Sequence, residues 1–186
     1  MIAISPYDRA WPEEFAGLAA RLAEALGGLA VSIDHIGSTA VPGLEAKDVI
    51  DIQVTVRALE PAVEAALASL GYMRLANIDG DHRPPGAAGP DGDWRKWFFG
   101  PPAGQRRTNL HVRVAGKPNQ RYPLLFRDYL RAHPVAAGAY GQIKRQLARY
   151  HRDDIEAYYD IKDPACDLIW CAAEAWDRAR NESSGA

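Results

Sequence analysis

Residues 35–56 read HIGSTAVPGLEAKDVIDIQVTV, and the end of that stretch decides the fold. Ile50, Ile52, Val54 and Val56 alternate with Asp51, Gln53 and Thr55. One face of an extended segment is therefore apolar, and the other carries hydrogen-bonding groups. That period of two predicts a strand over 49–56. Ahead of it, Pro42 and Gly43 mark a loop over 37–47, which a shorter strand over 31–36 enters. A Gly-Ser turn, Lys47 and Asp51 thus fall on successive pieces of strand, loop, strand. Gly37 permits close approach of a phosphate to the backbone, while Ser38 and Thr39 supply hydroxyl and backbone donors. Lys47 adds a point charge, and Asp51 follows on the next strand. A lone Gly-Ser pair is also ordinary punctuation after a strand; the aspartate that follows gives it chemical meaning.

Working outward, Pro12, Glu13 and Glu14 open a helix in which Phe15, Leu18, Leu22 and Leu26 recur at helical spacing until Gly27-Gly28. Pro61 opens a second, with Val63, Ala66, Leu67 and Leu70 on one side and Gly71 as its stop. Residues 72–76 read as a strand. Residues 77–93 are rich in Gly, Pro and Asp without periodicity and read as a mobile loop. Strands are expected over 94–99 and 108–114, the second with Leu110, Val112 and Val114 opposite Asn109, His111 and Arg113. The remainder is helical. Leu124, Leu125, Tyr129 and Leu130 form one stripe, and Pro134 starts the next helix. A third helix is expected over 164–180, with Leu168, Ile169, Ala172, Ala175 and Trp176 inward, before a frayed tail at 181–186. The sum is a single α+β domain over 1–180.

The 186 residues suffice for one full core, and the 47% apolar and 25% charged fractions are ordinary for a globular chain. A net charge of -2 gives no global attraction to nucleic acid or to an anionic membrane, so neither is an expected partner. No basic stretch followed by an apolar run opens the chain, and nothing approaches the roughly 20 apolar residues needed to span a bilayer. Cys166 and Cys171 match no metal spacing and read as core thiols of a reducing compartment, which implies the cytoplasm.

If the two alternating strands share a sheet, Asp51, Gln53, Asn109, His111 and Arg113 are displayed together on an open polar face backed by helices. That face is either a plain solvated surface or the floor of a ligand site, and the Gly-Ser turn argues for the site. His111 titrates near neutrality and suits a metal ligand or general base as well as a hydrogen-bonded strand residue. His35 reads as a structural hydrogen-bonding group ahead of a pocket-lining one, and Arg127 and Asp128 as partners of one another or a helix cap ahead of ligand contacts. Lys144 and Arg145 read as a solvated helix face, or as reaching the polar sheet face if their helix borders the cleft. Only one of Arg95 and Lys96 can face the site. Tyr158, Tyr159, Trp170 and Trp176 read as core aromatics.

At three segments, HIGSTAVPGLEAKDVIDIQVTV (35–56), TNLHVRV (108–114) and LLFRDYLRAHP (124–134), the chain resembles the GrpB family, also called UPF0157. That family is a branch of the nucleotidyltransferase superfamily. Tyr140, Lys144 and the helix beyond continue the pattern. The likeness is to the version appended to the C-terminal side of dephospho-CoA kinase in actinobacteria. A kinase half would need a GxxxxGK[ST] loop, which is absent here, so the chain looks like the appended domain standing alone.

The resemblance implies a nucleotidyltransferase-like mixed sheet backed by helices, with a helical C-terminal part. It assigns Gly37, Ser38, Thr39, Lys47, Gln53, Asn109 and Arg113 to ligand binding, and Asp51 and His111 to catalysis and metal binding. Mg²⁺ or Mn²⁺ is the implied cofactor, with Zn²⁺ behind them. Gln53 stands where the second acid should be, and neither it nor His111 carries the negative charge that Mg²⁺ prefers. Three readings stay open: a nucleotidyltransferase-fold protein that binds a nucleotide or other phosphorylated small molecule, with metal-dependent nucleotidyl transfer as its chemistry; a noncatalytic helper or sensor linked to coenzyme A metabolism, with a protein partner; and a metal-dependent hydrolase or ligase of a small metabolite.

Overall fold

The computed structural model describes residues 1–87 and 89–184. A five-stranded sheet runs in the order β1 (Ala30–Ile36), β2 (Ile50–Val56), β5 (Thr108–Val114), β4 (Trp97–Gly100), β3 (Met73–Arg74). All its pairings are antiparallel except β2 with β5, which are parallel and set Asp51 beside Asn109 and Gln53 beside His111. The sheet is thus mixed, and the α+β class holds.

The apolar sides of β2 and β5 form the main core. Ile50, Ile52, Val54, Leu110 and Val112 pack with Leu22 and Leu26 of α1 (Trp11–Leu26) and with Val63 and Leu67 of α2 (Pro61–Ser69). Each such side chain contributes on the order of 1.5–3 kcal/mol by leaving water. Both helices begin with proline near their first position, where its missing N–H removes nothing. Trp11 closes the sheet's end, its indole Nε1 donating to Asp48 Oδ1 at 2.9 Å. A second cluster joins Val41 and Leu44 to Leu130, Tyr140 and Cys166. It holds α3 (Pro118–Ala132), α4 (Pro134–Tyr150) and α5 (Ile155–Ser184) together. Among the described residues no helix is long and apolar enough to cross a membrane.

Several expectations need correction. β3 keeps only two of its five expected residues, and residues Asp91–Trp94 wind into a 3₁₀ turn, so β4 starts at Trp97. The last helix starts at Ile155, because Asp154 accepts the Ala157 N–H at 2.9 Å and caps it; Pro164 lies inside. That earlier start changes the buried stripe. Cys166 and Ala173 face inward, Ile169 and Trp176 are partly buried, while Ala172 and Ala175 are exposed and Leu168 is 75% exposed. Cys171 is exposed as well and is no core thiol. Of the aromatic group, Tyr158 is buried but Tyr159 is exposed. The helix continues through Ser184, where a frayed tail was expected; residues 185–186 lie outside the described residues.

The 77–93 loop is tied down rather than loose, although Ala88 within it lies outside the described residues. Asp81 N–H donates to Trp94 O at 2.9 Å, and Lys96 N–H donates to Asp79 O at 2.9 Å. His82 Nε2 lies 2.8 Å from Asp167 Oδ1 on α5.

Candidate functional site

The polar sides of β2 and β5 do not form one open face. Helix α3 covers their C-terminal halves: Gln53 is 0% exposed, and its amide donates to the carbonyl of Gln120 on α3 at 3.0 Å. Arg113 is 4% exposed and donates from Nη1 to Gln53 Oε1 at 2.8 Å. These two expected ligand residues are interior bracing and line no cavity described here. The N-terminal halves stay open, and there Asp51, Asn109 and His111 floor a cleft of about 590 Å³.

Gly37, Ser38 and Thr39 form one wall, at the turn between β1 and β2. Gly37 has φ 69° and ψ −171°, a conformation open essentially to glycine alone. A Cβ there would sit 2.8 Å from Asp51 Cγ and 2.9 Å from Asp51 Cβ. The group that approaches this backbone closely is therefore the Asp51 carboxylate. Thr39 is buried and works inside the turn, sharing a 2.9 Å hydrogen bond with His35 Nε2 and donating to Val49 O at 3.3 Å. His35 stacks on Phe15, and burial lowers its pKa to about 4, so it is a neutral structural residue as expected. Arg127 pairs with Asp128 at 2.7 Å and donates to His35 O at 2.9 Å, which also fits the structural reading.

Asp51 accepts from Asn109 Nδ2 at 2.7 Å. Burial raises its pKa to about 6, against the pull of that hydrogen bond and of Arg113, Lys162 and Lys144. His111 lies against the edge of Phe98, and its Nδ1 accepts from Arg113 Nη2 at 3.2 Å. Burial, with Arg113 and Lys96 nearby, pushes its pKa well below the usual value. A neutral imidazole whose Nδ1 accepts carries its proton on Nε2. In that tautomer the ring donates and has no free lone pair for a metal.

Sequence reasoning missed half of the cleft. Lys144, for which the sequence favours a solvated helix face over reach into the cleft, is 3% exposed and lines the cleft; its Nζ donates to Ser38 Oγ at 2.8 Å and to the carbonyl of Glu45. Burial, with Lys162 nearby, lowers its pKa to about 7. Tyr158, Tyr159 and Lys162 come from α5, and Lys47 sits over the rings of Tyr158 and Tyr159 at 4.3 and 4.8 Å. Asp81, from the 77–93 loop, accepts from Lys96 at 2.6 Å, from Arg113 Nε and Nη2 at 2.8 Å each, and from Asn119 at 3.1 Å. Burial alone would raise its pKa, but Arg113 and Lys96 hold it far below the carboxylate range. Of the Arg95 and Lys96 pair, Lys96 is the one that faces the cleft.

As a metal centre the donor set falls short of two-ion chemistry. Asp51 is a single carboxylate with one oxygen engaged, Gln53 is bonded at both ends, and Asp81 is neutralised by two cations. Among the described residues no three of His, Cys, Asp and Glu come together as a metal-holding group.

The model of the GrpB protein family matches residues 1–170. The chain belongs to the GrpB family. A dephospho-CoA kinase of Mycolicibacterium paratuberculosis is 38% identical over 177 residues, which cover 88% of this chain and 44% of that protein. The UPF0157 protein YqkA of Bacillus subtilis is 36% identical over 180 residues, covering 96% and 49%. This GrpB-family chain thus spans about half the length of those two relatives. The crystal structure of GrpB from Enterococcus faecalis superposes with a TM-score of 0.76 at 29% identity, covering 94% of this chain and 99% of that one. The Cid1 poly(U) polymerase bound to MgGTP superposes at 0.50 with 11% identity, over 77% of this chain and 44% of Cid1. That likeness shows a nucleotidyltransferase-like fold and nothing of the chemistry.

Proposed function

We propose that the cleft binds a nucleotide or another phosphorylated small molecule, with a phosphate seated between the Gly37–Ser38 turn and Lys144. One observation carries this reading: Lys144 is buried at the mouth of the turn and ion-pairs with no carboxylate among the described residues. A buried ammonium without a counterion is costly, and a phosphate would supply both the charge and the acceptors. The neutral His111 ring and the Ser38 hydroxyl are further donors on the same walls. The relatives named dephospho-CoA kinases make CoA-type nucleotides the first ligand class to try. Nucleotidyl transfer is the reaction this fold would carry, and Asp51 is the residue on which it would turn. Its carboxylate, fixed by Asn109 and with a pKa raised to about 6, suits the uptake of an acceptor hydroxyl's proton.

A second reading, binding without turnover in a helper domain, is favoured by the engagement of Gln53 with Arg113 where a second acid would act. A thermal-shift panel of ATP, GTP, dephospho-CoA and CoA tests binding. Ligand at a hundred times its Kd adds about 2.7 kcal/mol, a shift of several degrees. A flat panel with folded protein defeats the phosphate reading. If a ligand binds and is turned over, Asp51→Asn should abolish turnover while keeping the thermal shift; unchanged turnover removes Asp51 from the chemistry.

A further inference from the structure

We infer that this cleft holds the phosphate part of its ligand without a divalent cation, with Lys144 and Lys47 as countercharge. The inference rests on the phosphate reading above and adds how the charge is balanced. In the fold's usual chemistry, metal ions bridge two or more carboxylates to the phosphates. Here each position that could join Asp51 is engaged elsewhere. Gln53 gives its oxygen to Arg113 at 2.8 Å and its amide to α3 at 3.0 Å. Asp81, the other carboxylate on the cleft, is enclosed by Lys96, Arg113 and Asn119. Detaching it would leave Arg113 and Lys96 buried without a countercharge.

The cations, by contrast, are in surplus. Four lysines, at 47, 96, 144 and 162, line the cleft against two aspartates, 51 and 81. Lys96 is matched by Asp81, and Lys162 has Asp163 at 2.7 Å. Lys144 and Lys47 form no ion pair with any described residue; their partners are Ser38, the Glu45 carbonyl, and the Tyr158 and Tyr159 side chains. Lys144 and Lys47, both protonated once a phosphate is bound, would equal the charge of one phosphate monoester dianion. A Mg²⁺ ion entering instead would meet one half-engaged carboxylate in a field of like charge.

Isothermal titration with inorganic pyrophosphate and with ATP, each in EDTA and in excess Mg²⁺, tests this. The expected result is binding in EDTA at least as tight as in Mg²⁺, weakened about tenfold or more by Lys144→Met and severalfold by the partly exposed Lys47→Gln. Circular dichroism checks that both variants fold, and Lys47→Gln carries the test should Lys144→Met fail to. Binding that appears only with Mg²⁺ and vanishes in Asp51→Asn overturns the inference and leaves the phosphate reading standing. No binding of either probe in either buffer, by folded wild-type protein, overturns both.

Discussion

Gly37→Ala isolates the contact on which the turn and Asp51 both depend. At φ 69° and ψ −171° the backbone lies where an alanine is strained by about 1–3 kcal/mol. The added methyl would also sit 2.8 Å from Asp51 Cγ and 2.9 Å from its Cβ, inside van der Waals contact, so the aspartate must move. It cannot move freely, because Oδ1 is held by Asn109 at 2.7 Å and its backbone is paired on both sides, with Ile36 of β1 and Asn109 of β5. Forced repacking of that kind costs about 1–3 kcal/mol more. A total near 4 kcal/mol corresponds to a fall in Tm of roughly 8–16 °C for a chain of this length. Urea and thermal unfolding of wild type, Gly37→Ala, Asp51→Ala and the double variant give the coupling directly. The double variant should be more stable than the two single losses predict, since removing Oδ2 and Cγ relieves the worst overlap. A Gly37→Ala protein within about 1 °C of wild type, or strictly additive losses, would refute the argument.

Arg113→Met should lower stability by about 3–5 kcal/mol in urea unfolding, because it breaks a buried ion pair, leaving Asp81 with only one of its two cations and Gln53 Oε1 unpaired in the interior. The pH profile should show two opposed slopes. Asp51, with its pKa raised to about 6, holds a proton in the folded state that the unfolded chain has released, so its contribution is full below the unfolded value near 4 and is lost as pH rises through 6. Lys144, with its pKa lowered to about 7, sheds a proton that the unfolded chain keeps up to about 10, so stability gains between those values. Asp51→Asn and Lys144→Met should each flatten their own limb of the profile measured by thermal unfolding. His82→Ala removes the tie between the 77–93 loop and Asp167 on α5. Amide exchange over residues 79–84 should quicken while Tm changes by no more than about 4 °C, since an exposed pair is worth at most about 1 kcal/mol.

What was legible in the sequence was whatever repeats at a fixed period. β2 and β5 were found within a residue because branched apolar and polar positions alternate through both. The family segments added Gly37, Ser38, Asp51, Asn109 and His111, and the structure brings all five onto one cleft. Period alone could not show which part of a polar face stays open. Gln53 and Arg113 share the alternation of Asp51 and Asn109 but lie under α3, whose position is fixed by contacts distant in the chain. For Lys144 the solvated face was favoured over the cleft for a related reason: Lys144 and Arg145 adjoin on one basic helix, and only the docking of α4 sets that lysine against the Gly37–Ser38 turn. Asp81 was hidden by its Gly- and Pro-rich setting, though an aspartate two residues after Asp79 in such a loop, near Arg95-Lys96, was a signal that could have been weighed.

The single parallel pairing has a consequence for how the chain folds. β1 with β2, β3 with β4, and β4 with β5 are antiparallel pairings that can form within their own stretches of chain. The seam between these two halves is β2 against β5, and the bond from Asn109 to Asp51 closes a span of 58 residues. Loop-closure entropy makes such a seam slow to form relative to the local pairings. Asp51 and Asn109 face each other across that seam, so the floor of the cleft comes into being only when the halves dock. An intermediate with both halves formed but unjoined would have native-like strands and no binding site, and recovery of ligand binding during refolding should lag recovery of secondary structure.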